Sequence, residues 1–174
     1  MIDFFKKIID VLEELNIPYM LSGSVAMSLY IVPRSTRDFD FIVHIQPDKI
    51  LTFAKYFEKD YYCNVEAIKD AIKYNSIFNI IDHASGYKAV FVILKNEEYR
   101  QEEFRRKVKM DFFKKSIYIV TKEDLILSKL IWIQTYQSAI QMEDIKKLLE
   151  SNNVDLIYIK FWINKLKIHT FDLI

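Results

Sequence analysis

The chain has 174 residues, 51% of them hydrophobic and 28% charged, which is enough apolar material for one packed domain and carries no signature of disorder. Its 25 basic and 24 acidic residues leave a formal charge of +1, so no global field draws it to nucleic acid or an anionic membrane, and any basic patch must be local. Cys63 is the only cysteine, which excludes an intrachain disulfide and a zinc site of clustered thiolates.

In chain order, Ile2 to Leu15 reads as an amphipathic helix: Phe4, Phe5, Ile8, Ile9, Leu12 and Leu15 recur at three- and four-residue steps. Charges run through this segment and no unbroken apolar stretch heads it, so it does not read as a signal peptide. No run of about 18 uncharged apolar residues follows elsewhere, so no membrane span is expected and a cytoplasmic protein is. Asn16 and Pro18 end the helix. Tyr19 to Leu21 is a short buried strand, and Ser22-Gly23-Ser24 leads into a helix from Val25 to Ile31 that Pro33 stops. Asp38 to Ile45 alternates as a strand does. Pro47 and Asp48 open a helix through about Phe57, and a shorter helix covers Val65 to Tyr74. Ser76 to Ile81 and Tyr87 to Leu94 are strands joined by a turn at His83 to Gly86. Glu97 to Lys107 is a charged helix. Met110 to Phe113 and Ile117 to Val120 form two short strands around Lys114-Lys115-Ser116. Thr121 with Asp124 reads as a capping box opening a helix to about Gln134. Helices over Ala139 to Glu150 and from Asn153 to about Ile168 close the chain. The pattern predicts an α/β core over residues 1–120 with a C-terminal helical part over 121–174 packed on it.

The segment from Leu21 to Val43 carries the chemistry. A strand runs into Gly23-Ser24 at a helix start, where backbone N–H groups can bind phosphate and glycine lets it approach. Fourteen residues after Ser24 stands Asp38-Phe39-Asp40. Strand alternation puts both carboxylates on one face and Phe39 and Phe41 on the other. Two carboxylates so placed repel unless a cation or a proton intervenes, and oxygen ligands of this kind suit Mg²⁺, which in turn holds nucleotide phosphates.

These residues resemble the nucleotidyltransferase superfamily signature, a Gly-Ser motif followed by an Asp-x-Asp strand. The wording Gly-Ser-x-Ala and Arg-Ser-Thr-Arg-Asp-x-Asp is most similar to minimal bacterial nucleotidyltransferases, and within them to abortive-infection (AbiEii-type) toxin relatives. The match covers about Ile17 to Val43, with a weaker one over Thr121 to Leu149. The resemblance implies a nucleotidyltransferase-type mixed β-sheet flanked by helices. It also implies Mg²⁺-dependent transfer of a nucleoside monophosphate from an NTP to an acceptor hydroxyl, on a small molecule, a tRNA end or a protein. Asp38 and Asp40 would then ligate the metal and Gly23 and Ser24 would hold the phosphates. Thr36 and Arg37 would line the approach, Lys129 would be a phosphate contact, and an antitoxin would be a candidate partner.

One departure bears on activity. The superfamily adds a third carboxylate on a later strand, and by resemblance to its Lys-x-Asp pattern that acid falls at Val90. Valine neither binds metal nor takes a proton. The same resemblance therefore also allows a module that binds a nucleotide or a partner without turnover.

Plainer readings stand beside these. Gly23-Ser24 can be an ordinary strand-to-helix turn. Asp38 and Asp40 can sit on a solvated edge strand, neutralised by Arg34 and Arg37. The basic cluster Arg100, Arg105, Arg106, Lys107 and Lys109, interleaved with Glu102 and Glu103, reads as a solvated helix face, and Lys129 as a snorkelling lysine at the edge of the core. His44, His83 and His169 lack metal-ligand spacing, and Trp132 and Trp162 read as core or interface.

Overall fold

The computed structural model of the protein describes residues 1–32 and 35–174. Pro33 and Arg34 lie outside the described residues, and with them the expected helix stop at Pro33 and the expected charge of Arg34 beside the carboxylates. The elements are α1 (Ile2–Glu14), β1 (Tyr19–Ser22), α2 (Gly23–Met27), β2 (Asp38–Val43), a 3₁₀ turn (Pro47–Lys49) and α3 (Ile50–Lys55). Then follow β3 (Tyr61–Cys63), α4 (Val65–Tyr74), β4 (Ile77–Asp82), β5 (Lys88–Ile93), α5 (Glu98–Arg105), β6 (Val108–Phe112) and β7 (Lys115–Ile119). Three helices close the chain: α6 (Lys122–Ile133), α7 (Ala139–Glu150) and α8 (Leu156–Leu166).

Among the described residues seven strands form one sheet in the order β3-β4-β5-β2-β1-β7-β6. The sheet is mixed: β1 runs antiparallel to β2, while β2 and β5 pair in parallel, as do β1 and β7. The strands β5, β2 and β1 are therefore neighbours at its centre.

Strict alternation on β2 and β5 sorts the two faces. Phe39, Phe41 and Phe91 point to the buried one, where the Phe5 ring of α1 lies 5.1 Å from Phe39 and 6.1 Å from Phe41. Phe91 stacks on Phe78 at 4.8 Å, and Phe53 of α3 meets Phe91 edge-on at 5.7 Å. Each such ring removes on the order of 2–3 kcal/mol worth of apolar surface from water, so the aromatic richness of the sequence goes into one core under α1 and α3. The other face carries Asp38, Asp40, Ile42, Lys88, Val90 and Val92, half-buried. α2, Arg100 of α5 and the helix α6 border a cavity over this face.

Buried ion pairs fasten the C-terminal helices. Thr121 caps α6 by accepting the Asp124 N–H at 3.2 Å, as the capping box predicts. The Asp124 carboxylate is itself buried and accepts from Arg106 Nε at 3.0 Å and from the Tyr158 hydroxyl at 2.7 Å, joining α5, α6 and α8.

Three details differ from the expectations. The strand β3 was not anticipated, because three residues on a sheet edge carry too little alternation to register. The helix α2 ends at Met27 and continues only as turns, four residues short of the expected Ile31. The β6–β7 hairpin turns at Phe113-Lys114, with φ of 50° and 64°, so Lys115 and Ser116 belong to β7. Two consecutive left-handed residues match the right-handed twist of the flanking strands, even without glycine.

Candidate active site

The Gly23–Asp40 approach fixes the geometry of the site. Ser22, the last residue of β1, pairs with Asp40 across the antiparallel ladder, so the chain enters α2 directly above the Asp40 carboxylate. Gly23 has φ +63°, and a Cβ there would fall 1.9 Å from Asp40 Oδ2. Glycine is required twice, by the left-handed backbone and by the carboxylate packed against it.

Four residues make a row across the sheet on this face. Ser22 pairs with Asp40, Asp40 with Val90 and Val90 with Asn79. The register thus brings position 90 beside Asp40, where the resemblance requires an acid. In the next row Asp38 pairs with Lys88, whose Nζ lies 3.4 Å from Asp38 Oδ2. Lys88 offsets the Asp38 charge, in a partly exposed pair worth on the order of 0–1 kcal/mol. The strand carrying both aspartates lies at the centre of the sheet, which corrects the edge-strand reading.

A cavity of about 470 Å³ opens beside Asp40 and is walled by Gly23, Ser24 and Lys129. It therefore brings together four of the seven residues singled out by the sequence. Asp38 stands just outside it, paired to Lys88. Thr36 and Arg37 are not in its wall. Thr36 Oγ1 accepts the Asp38 N–H at 3.2 Å, and the Arg37 carbonyl accepts from the Lys88 N–H at 3.1 Å, so both set the start of β2. Lys129 is buried and donates to Asp144 Oδ2 at 2.8 Å and Gln141 Oε1 at 2.7 Å. It is an anchor between α6 and α7 that faces the cavity, not a lysine snorkelling to solvent.

The cavity wall also holds residues the sequence reading set aside. Arg100 was expected on a solvated face, yet it lines the cavity and donates to Glu103 Oε2 and Ser128 Oγ, each at 2.8 Å. Glu103 is fully buried, and that burial pushes its carboxyl above the ordinary range, with Arg100 pulling partly back. Trp132, expected in the core or at an interface, is half-exposed on the cavity wall, whereas Trp162 is buried. A glutamate three residues after an arginine inside a helix was the available signal for the first pair.

The donor set admits Mg²⁺. Among the described residues no three His, Cys, Asp or Glu side chains gather as a metal cluster. Mg²⁺ takes one or two carboxylates and completes its shell with water and substrate phosphates, and Asp38 and Asp40 on one face fit that requirement. Among the described residues no helix is long and apolar enough to cross a membrane.

No protein-family model and no curated protein matches the chain. Solved structures do resemble it. The antibiotic-resistance factor ANT(2'')-Ia superposes with a TM-score of 0.65 over 95% of this chain and 90% of its own, at 10% identity. The lincosamide antibiotic adenylyltransferase LnuA, solved with lincomycin bound, gives 0.52 over 82% and 92%, at 14% identity. An antigenic nucleotidyltransferase-like protein from Paracoccidioides brasiliensis gives 0.54 over 84% and 74%, at 16% identity. The chain has a nucleotidyltransferase-type fold, a mixed sheet flanked by helices with its Gly-Ser turn over an Asp-x-Asp strand.

Proposed function

We propose that this protein binds an NTP with Mg²⁺ in the cavity beside Asp40 and transfers its nucleoside monophosphate to an acceptor hydroxyl. The observation that carries the reading is the Asp40 carboxylate packed on Gly23 at the mouth of a cavity that also holds Ser24 and Lys129. Asp38 and Asp40 would hold Mg²⁺, which when bound supplies charge neutralisation at the transferred phosphoryl group. Gly23 and Ser24 set the phosphates. α2 is barely more than a turn, so it contributes local backbone dipoles rather than a helix macrodipole. Lys129, its charge partly offset by Asp144, lines the same space as a candidate phosphate contact. Thr36 and Arg37 act on the site only through the start of β2.

In the reaction the acceptor oxygen bonds to the α-phosphorus and the bridging α–β oxygen bond breaks. Pyrophosphate leaves with that electron pair, and the acceptor proton passes to solvent. Val90 supplies no base for that proton, so positioning carries most of the rate.

Val90 and the Lys88–Asp38 pair favour a second reading, nucleotide binding without turnover. Incubation with each NTP labelled at the α-phosphate, Mg²⁺ or Mn²⁺, and either total RNA or a cell extract separates the two. Label transferred to an acceptor supports the enzyme; Mg²⁺-dependent NTP binding without transfer supports the module. The Arg-Ser-Thr-Arg-Asp-x-Asp wording supports placement among abortive-infection toxin relatives, for which an antitoxin that co-purifies with the chain and suppresses transfer is the corresponding partner.

A further inference from the structure

The cavity does not end at the residues assigned to phosphate. Trp132 lies three residues beyond Lys129 on α6, a rise of about 4.5 Å, and Tyr136 follows one turn later. Their ring centroids are 5.8 Å apart. Both rings wall the cavity and remain 48% and 65% exposed, so they form an open aromatic platform rather than core. Thr135 and Gln141 share this part of the wall. Gln141 Oε1 accepts from Lys129, which leaves its amide nitrogen as the group it offers a ligand.

An exposed indole face with a phenol ring tilted 43° beside it, edged by a hydroxyl and an amide and sharing one cavity wall with Lys129 and Gly23-Ser24, is complementary to a heteroaromatic ring attached to a phosphate chain. We propose that Trp132 and Tyr136 form the nucleobase subsite of the NTP, by stacking, with Thr135 and Gln141 at the edge of the base. The inference rests on the phosphate placement proposed above. Stacking is indifferent to base identity but grows with ring area, so all four NTPs bind and the purine pair binds more tightly.

The test is a titration of the intact protein with ATP, GTP, CTP, UTP and inorganic tripolyphosphate in Mg²⁺, followed by calorimetry and tryptophan fluorescence. The chain has two tryptophans, and Trp162 is buried against Tyr99 at 5.0 Å, so a base-dependent change reports Trp132. NTPs should quench the emission, while tripolyphosphate binds without quenching. Trp132→Ala should weaken NTP binding on the order of tenfold and leave tripolyphosphate affinity unchanged. Its melting temperature should stay near that of the wild type because the ring is exposed, and Trp132→Phe should restore most of the affinity. Tyr136→Ala should act in the same direction. Equal affinity for NTP and tripolyphosphate, unchanged in both alanine variants, overturns the base subsite and leaves the phosphate site standing. No binding of either ligand to the wild type overturns both.

Discussion

Asp40 and Val90 are direct partners across the parallel β2–β5 ladder, with their side chains on the same half-buried face. An acid at position 90 would therefore stand beside Asp40. Val90→Asp is predicted to tighten Mg²⁺ binding. In chelator the crowded carboxylates repel, so the variant should be less stable than the wild type by on the order of 1–3 kcal/mol and regain stability when Mg²⁺ is added. Melting curves of both proteins with and without Mg²⁺ measure this; identical metal dependence would mean that position 90 does not act on the site.

If Asp38 holds Mg²⁺ as proposed, Lys88 competes with the metal for it. Lys88→Met should raise the Mg²⁺ affinity of the NTP complex a few-fold, in keeping with an exposed pair worth on the order of 0.5–1 kcal/mol. Mg²⁺ titration at fixed NTP reads the shift, and an unchanged or weaker affinity would remove Lys88 from the account.

Gly23 has no substitute. Gly23→Ala meets a left-handed backbone that costs about 1–2 kcal/mol for an L side chain, and its Cβ collides with the Asp40 carboxylate. Denaturant unfolding should show at least that loss, together with loss of NTP binding. Gly86 is the control: it also has positive φ, but open space surrounds it, so Gly86→Ala should lose stability and keep binding.

Much of this arrangement is legible in the sequence, for a physical reason. Alternation places Asp38 and Asp40 together, and strong apolar runs mark β1, β2 and β5, so the centre of the sheet and its chemistry are local signals. Trp132 and Arg100 are not. Whether a tryptophan on α6 faces core or cavity depends on how far α7 and α8 cover it, and the partner of Arg100 at Ser128 is 28 residues away. β3 is invisible because an edge strand of three residues is held by β4 rather than by its own pattern.

Glu103 makes stability depend on pH. Burial raises its carboxyl above the ordinary value near 4.5, so the folded state keeps that proton longer than the unfolded state does. Its contribution to stability is full below the ordinary value and is lost as pH rises through the raised one. Glu103→Gln should flatten the fall in melting temperature as pH rises above the ordinary carboxylate range. An equally steep fall in the variant would place the dependence elsewhere.

The central claim is that the two carboxylates of β2 hold a metal–nucleotide complex. Its most direct test is calorimetric binding of an NTP with and without Mg²⁺, to the wild type and to the Asp38→Ala, Asp40→Ala double variant. Both side chains are only half-buried, so the variant should remain folded. The account predicts Mg²⁺-dependent binding to the wild type and loss of that dependence in the variant. The same Mg²⁺-dependent affinity in both proteins, or none in the wild type, would contradict it.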